Sequence, residues 1–171
     1  LTMSLIMWQI NRQNRESQQN VQAQKQQLDT ALNNMTQGLV LYDGSQRLVL
    51  CNQRFIDMFG LSTDVVKPGA SSIDVMRHRH ATGSFDGDPD VFHEEIQRRV
   101  EKGEMTKSIV RSNDGRTFQI VNQPLPQGGW VATMEDVTER QRLEQERDRN
   151  YAFLSQILDH IPPDHHILGR N

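Results

Sequence analysis

The sequence predicts an α+β fold: a five-stranded antiparallel sheet with helices on one face, flanked by N- and C-terminal linker helices. Three observations carry this prediction. Short apolar runs punctuated by turn residues fall into two groups, around 39–51 and around 105–135, as strands do. Helix-like segments lie between the two groups, an order that suits a sheet covered on one side. Two stretches, Asn11–Gln27 and Glu139–Asn150, are almost wholly polar yet rich in helix formers, and they bracket a segment of ordinary globular character, Leu28–Asp136.

The elements follow in order. From Met7 to Met35 there is neither Gly nor Pro. Ile10, Val21, Leu28, Ala31 and Met35 recur on three- and four-residue steps, with Asn14, Ser17 and Gln24 in the intervening seam positions. That is a polar-interrupted heptad, and a second copy of the chain would bury its stripe. Gly38 ends this helix. Leu39–Tyr42 reads as a strand, Asp43-Gly44 as a turn and Arg47–Cys51 as the return strand. Asn52 is placed to cap a helix over Gln53–Phe59, which Gly60 stops. Ser72–Arg79 is a short helix. Pro89–Glu101 is a longer one, with Val91, Phe92, Ile96 and Val100 on its apolar face and Gly103 beyond it. Three strands close the domain: Met105–Arg111, Thr117–Asn122 and Trp130–Glu135. Asn113-Asp114-Gly115 and Gln127-Gly128-Gly129 turn between them. Pro124 and Pro126 put the far end of the middle strand at an edge or in a loop. Thr138 caps a last helix over Glu139–His160, which Pro162-Pro163 terminates.

Bulk properties narrow the function. Hydrophobic residues form 35% of the chain, below the share of a compact globule, because the polar arms dilute it. With 19 basic against 22 acidic residues the net charge is −3, which argues against nucleic acid as a partner. Cys51 is the single cysteine, so no internal disulfide forms. Leu1–Ile10 is mostly apolar and is followed by Arg12 and Arg15. Ten residues cannot cross a bilayer, which takes about 20. The run reads as the cytoplasmic end of a membrane helix, or else as an amphipathic helix start or a dimer contact.

Four strings together resemble the PAS domain family. Gly129-Trp130-Val131-Ala132-Thr133-Met134-Glu135-Asp136-Val137-Thr138-Glu139-Arg140 is similar to the last PAS strand, which ends in Asp-Ile/Val-Thr-Glu-Arg before an exit helix. Ala31–Asp43 is similar to the leading helix and first strand, Leu48–Phe55 to the second strand with its Cys/Ala-Asn step, and Asn113–Arg116 to a late hairpin. The resemblance covers Asp29–Arg140. It implies a sensory module with no catalysis of its own, controlling a histidine kinase or a cyclic-di-GMP enzyme on the same chain. The organisation expected is 1–10 as the end of a membrane helix, 11–36 as a coiled-coil linker, 37–137 as the PAS domain, 138–161 as the exit helix and 162–171 as a tail. Tyr151–Pro162 resembles the leading helix of a further PAS domain, so the tail would open the next module. The expected location is cytoplasmic, beneath a membrane anchor.

The family often holds a ligand between sheet and helices. The expected wall comprises Met58, Phe59, Ile73 and Met76 from the short helices, Phe92 and Ile96 from the longer helix, and Ile120, Trp130 and Ala132 from the sheet. These side chains equally suit a filled core. Arg77, Arg79 and His80, in the run Arg77-His78-Arg79-His80, could hold an anion through paired N–H donors, or could form a solvated face. His78 and His80 have no third ligand at a recognised spacing, so no metal is expected. His93 occupies the helix on which haem-binding relatives carry an axial histidine, but one histidine is no haem signature. Cys51 lies off the position that flavin-adduct chemistry needs. No Walker loop, Gly-x-Ser-x-Gly elbow or triad pattern is present. Signal coupling falls to Asp136, Thr138, Glu139 and Arg140, where sheet meets exit helix. Dimerisation falls to Val21, Leu28, Ala31 and Met35. A ligand-free dimerisation and spacer module is the alternative to a sensor.

Overall fold

A computed structural model describes residues 2–159 of the chain. Leu1, the last two residues of the expected exit helix (160 and 161) and the whole tail lie outside the described residues. The chain runs α1 (Thr2–Asn33), β1 (Gly38–Tyr42), β2 (Leu48–Cys51), α2 (Gln53–Phe59), α3 (Ser72–Ala81), α4 (Pro89–Glu101), β3 (Thr106–Arg111), β4 (Thr117–Pro124), β5 (Trp130–Asp136) and α5 (Thr138–Asp159). It divides after Asp136 into two compact units, the first carrying α1 to β5 and the second carrying α5.

The first unit is built on one antiparallel sheet of five strands in the order β2-β1-β5-β4-β3. The first strand therefore pairs with the last, with Val40 opposite Ala132 and Tyr42 opposite Trp130. Side chains alternate across the pleat. Val40 and Tyr42, Trp130, Ala132 and Met134, and Phe118, Ile120 and Asn122 are buried on the inner face. The helices α2, α3 and α4 cover that face, sending Phe55, Met58, Phe59, Val75 and Ile96 into the same core. Each fully buried large side chain contributes roughly 1.5–3 kcal/mol.

One buried amide fastens the start of the domain. The Asn52 side chain is 1% exposed. Its Oδ1 accepts from Phe55 N–H at 3.0 Å, capping α2, and from Leu39 N–H at 2.9 Å. Its Nδ2 donates to the carbonyls of Leu32 and Gln37, both at 2.9 Å. The end of α1, the 34–37 connection, β1 and α2 thus share a single residue. Gly60 closes α2 in the left-handed conformation expected of a C-cap, at φ 60°.

Several local expectations change. Met35 lies beyond α1, which ends at Asn33, so Met35 is no part of a helical seam. The turn after β1 is longer than Asp43-Gly44 suggests. Asp43 Oδ1 accepts from the N–H groups of Ser45 and Arg47, and the left-handed residue is Gln46 at φ 63°. The Asp43 side chain organises this turn by local hydrogen bonding, which outweighs the Gly signal. Val91 points to solvent at 65% exposed, while Phe92, Ile96 and Val100 face the core. Pro124 ends β4 opposite Trp130 and lies beyond the last β3 pair, so on its β3 side this end of the strand is locally an edge, as expected. β3 begins at Thr106, opposite Asn122, so no β3 hydrogen bond is asked of Pro124. Thr138 is the first helical residue of α5 rather than the residue before it. Gly129 must be glycine, because a Cβ there would lie 2.1 Å from the Tyr42 carbonyl oxygen, and its φ is +80°.

The arms are open. Val21, Leu28 and Ala31 on α1 are exposed, as are Leu143, Leu154 and Ile157 on α5. No helix among the described residues is long and apolar enough to cross a membrane.

Asn52→Ala should lower the unfolding free energy by about 3 kcal/mol in urea titration, because it deletes an N-cap and leaves buried backbone groups unpaired. A loss below about 1 kcal/mol would show that water replaces the amide.

Candidate functional site

Between the inner face of β1, β4 and β5 and the helices α3 and α4 lies a cavity of about 30 Å³. That is well short of the ~300 Å³ of a typical drug-sized site. Six of the nine expected wall residues line it, Met76, Phe92, Ile96, Ile120, Trp130 and Ala132, together with Arg79 of the expected anion-holding set. Met58 and Phe59 are buried in the adjoining core instead, and Ile73 is half-buried off the cavity wall. Val40, Tyr42, Phe55, Ser72, Val75, His93, Asn122 and Met134 line it too, beyond that expectation. Part of this was visible in the pattern. Ser72, Val75, Met76 and Arg79 stand at i, i+3, i+4 and i+7, one face of a helix. Gly38, Val40 and Tyr42 alternate along β1 as Trp130, Ala132 and Met134 do along β5.

The run Arg77-His78-Arg79-His80 separates into four different environments. Arg77 is exposed and pairs with Asp90 at 2.6 Å, tying α3 to the start of α4. His78 Nε2 accepts from Ser62 N–H at 3.0 Å. His80 is exposed, and its Nδ1–H donates to the Phe85 carbonyl at 3.2 Å. Arg79 alone turns inward and is 2% exposed. Residues two apart on a helix point about 200° from each other, so Arg77 and Arg79 cannot share a ligand from one face.

Arg79 is an uncompensated buried cation. Its guanidinium lies 3.8 Å over the Phe59 ring and 5.9 Å from that of Phe85. Its one hydrogen bond among the described residues is a long contact of 3.4 Å from Nη2 to the Ser84 carbonyl. Nε is enclosed without a partner. Burial lowers its pKa to about 10, with the Tyr42 hydroxyl acting weakly in the opposite sense. Tyr42 is pushed well above the usual phenol range by burial, so it stays protonated. Its ring stacks on Trp130 with centroids 4.7 Å apart. Across the cavity, Ser72 Oγ and His93 Nε2 share a hydrogen bond of 2.7 Å. Asn122 Nδ2 donates to Thr106 Oγ1 at 2.9 Å. Among the described residues no cluster of three or more His, Cys, Asp or Glu could hold a metal ion.

Burial holds the His93 pKa below its ordinary 6.5, with Asp90 and Glu94 opposing the shift and Arg77 adding to it. The unfolded chain then takes up this proton at a higher pH than the folded chain does. The His93 contribution to stability is therefore full above pH 6.5 and is lost as pH falls through the lower folded value. Urea titrations from pH 8 down to pH 5 should show this acid-side loss reduced in His93→Gln; an unchanged slope would place His93 in water.

The comparisons with known proteins agree with this architecture. A family model described as the PAS fold matches residues 32–145. The non-motile and phage-resistance protein of Caulobacter vibrioides is 31% identical over 137 residues, which cover 80% of this chain and 15% of that protein. The sensor protein kinase WalK of Staphylococcus aureus is 25% identical over 157 residues, 91% of this chain and 24% of the kinase. The chain thus spans less than a quarter of the length of either relative. Among solved structures, the PAS domain of BvgS from Bordetella pertussis superposes with a TM-score of 0.50 at 20% identity, covering 76% of this chain and 98% of that domain. With its sheet order, its helical cover and this match over two thirds of its length, the chain belongs to the PAS fold family and is a PAS sensory domain.

Proposed function

We propose that this domain is a signal-input module. It converts a change at the cavity into a change in α5, and so governs an output domain on the same polypeptide. The observation that carries this reading is the course of β5. Its inward residues Trp130, Ala132 and Met134 line the cavity, and only Val137 separates the strand from α5. A displacement of β5 has the shortest covalent path to that helix, and helix displacement is an established means of switching. Asp136, Thr138, Glu139 and Arg140 are the coupling residues of this reading, with Glu139 in the first turn, where its charge suits the helix dipole.

A histidine kinase is the output that the sensor-kinase relative favours; a cyclic-di-GMP enzyme is the other. The domain itself acts as a regulator rather than as an enzyme. Homodimerisation runs through α1, whose Val21 and Leu28 are 63% and 53% exposed and would be covered by a second copy. Exposed Leu5, Ile6 and Trp8 near the start of α1, followed by Arg12 and Arg15, support a place on the cytoplasmic side of a membrane-anchored protein. A second reading, a spacer that binds nothing, is favoured by the small size of the cavity.

Asp136→Ala in the full-length protein should leave basal output measurable but abolish its response to stimulus; a normal response would refute the coupling role. Val21→Lys together with Leu28→Lys should shift the chain from dimer to monomer in sedimentation equilibrium. An unchanged mass would remove α1 as the dimer contact.

A further inference from the structure

We infer that the cavity is a receptor site for a short aliphatic carboxylate, two or three carbons long, whose anionic head pairs with Arg79; this deepens the sensory reading and rests on it. A buried guanidinium is normally compensated by a carboxylate, because an unpaired charge costs several kcal/mol in a protein interior. Arg79 is 2% exposed, yet no Asp or Glu lines the cavity with it, and no acidic side chain pairs with it among the described residues. Its guanidinium carbon lies over the Phe59 ring at 3.8 Å and 5.9 Å from the Phe85 ring, contacts that offer its N–H edge no hydrogen-bond acceptor. Beyond the long 3.4 Å contact from Nη2 to the Ser84 carbonyl, Ser84 and Thr82 do not compensate that edge. Their hydroxyls donate to the Arg79 main-chain carbonyl at 3.0 and 3.1 Å. They fix the backbone of Arg79 and leave the side chain in want of an acceptor, as the orphaned Nε records.

The surroundings define the missing acceptor. A planar carboxylate matches the planar fork of N–H donors. Tyr42 is a second donor: it lines the cavity within electrostatic reach of Arg79, and its hydroxyl makes no hydrogen bond among the described residues. The rest of the wall is largely apolar, with Val75, Ile96, Ile120 and Ala132 suited to a short alkyl tail. The volume of about 30 Å³ excludes a ring cofactor without rearrangement of the core.

The test is thermal denaturation and titration calorimetry of the chain at pH 7.5 and constant ionic strength, using acetate, propionate, nitrate and chloride as probes. Acetate or propionate should raise the melting temperature by several degrees, and nitrate and chloride should not. Arg79→Met should abolish the shift while remaining at least as stable as the unliganded wild type, because a buried cation is replaced by an apolar side chain of similar length. Tyr42→Phe, which preserves the stack on Trp130, should weaken propionate binding about tenfold. Equal stabilisation by nitrate or chloride would overturn the carboxylate assignment and make the cavity an inorganic-anion site. A folded wild type indifferent to all four anions would overturn the proposal. The sensory reading would survive that result if Asp136→Ala still uncoupled output from stimulus, and would fall with it if the response persisted.

Discussion

The buried amide of Asn52 is the constraint on which this architecture rests. A five-stranded sheet that pairs its first strand with its last must deliver β1 to an interior position, between β2 and β5, at one fixed register. Asn52 sets that delivery. Its side chain bonds both to Leu39 at the start of β1 and to the end of α1, while it caps the helix that covers β1. The backbone adds a further bond from Asn52 N–H to the Leu39 carbonyl at 3.1 Å. No aliphatic residue could substitute, because two donors and two acceptors must be met at once where water is excluded. Once β1 is seated, Tyr42 stands opposite Trp130 and the cavity has its floor.

A second constraint works against stability. Arg79 sits in the same core as Phe59 and Val75 but brings a charge that the protein only half satisfies. Stacking on an aromatic face is worth about 2 kcal/mol when desolvated, less than the several kcal/mol that an unpaired buried ion costs. A core selected for stability alone would place Leu or Met at this position.

The dependence on neighbours explains why the two arginines of one helix have different fates. Arg77 faces solvent and spans to Asp90, an exposed pair that contributes little, about 1 kcal/mol or less. Arg79 faces the sheet. The difference comes from the orientation of α3, which the Ser72 N–H to Gln46 carbonyl bond and the Arg47–Ser71 bridge hold against the edge strand β2. Beside them Leu48 N–H donates to the Ala70 carbonyl at 2.8 Å and its carbonyl accepts from Gly69 N–H at 2.7 Å, so the first residue of that edge is paired.

By itself the sequence determined the elements and most of their ends, because helix caps, hairpin turns and alternating strands are settled by chemistry within a few residues. Asn52, Gly60 and Gly115 act where local rules place them. The family was legible for the same reason, since its strings are contiguous. What the tertiary structure decided is which side chains meet. That Met58 and Phe59 fill the core while Tyr42 and His93 reach the cavity depends on the angles at which α2, α3 and α4 cross the sheet, and no short window of sequence encodes an angle between distant segments. The isolation of Arg79 was likewise invisible, because the lack of a counter-charge is a property of every residue that surrounds it in space, and those residues come from six separate elements of the chain.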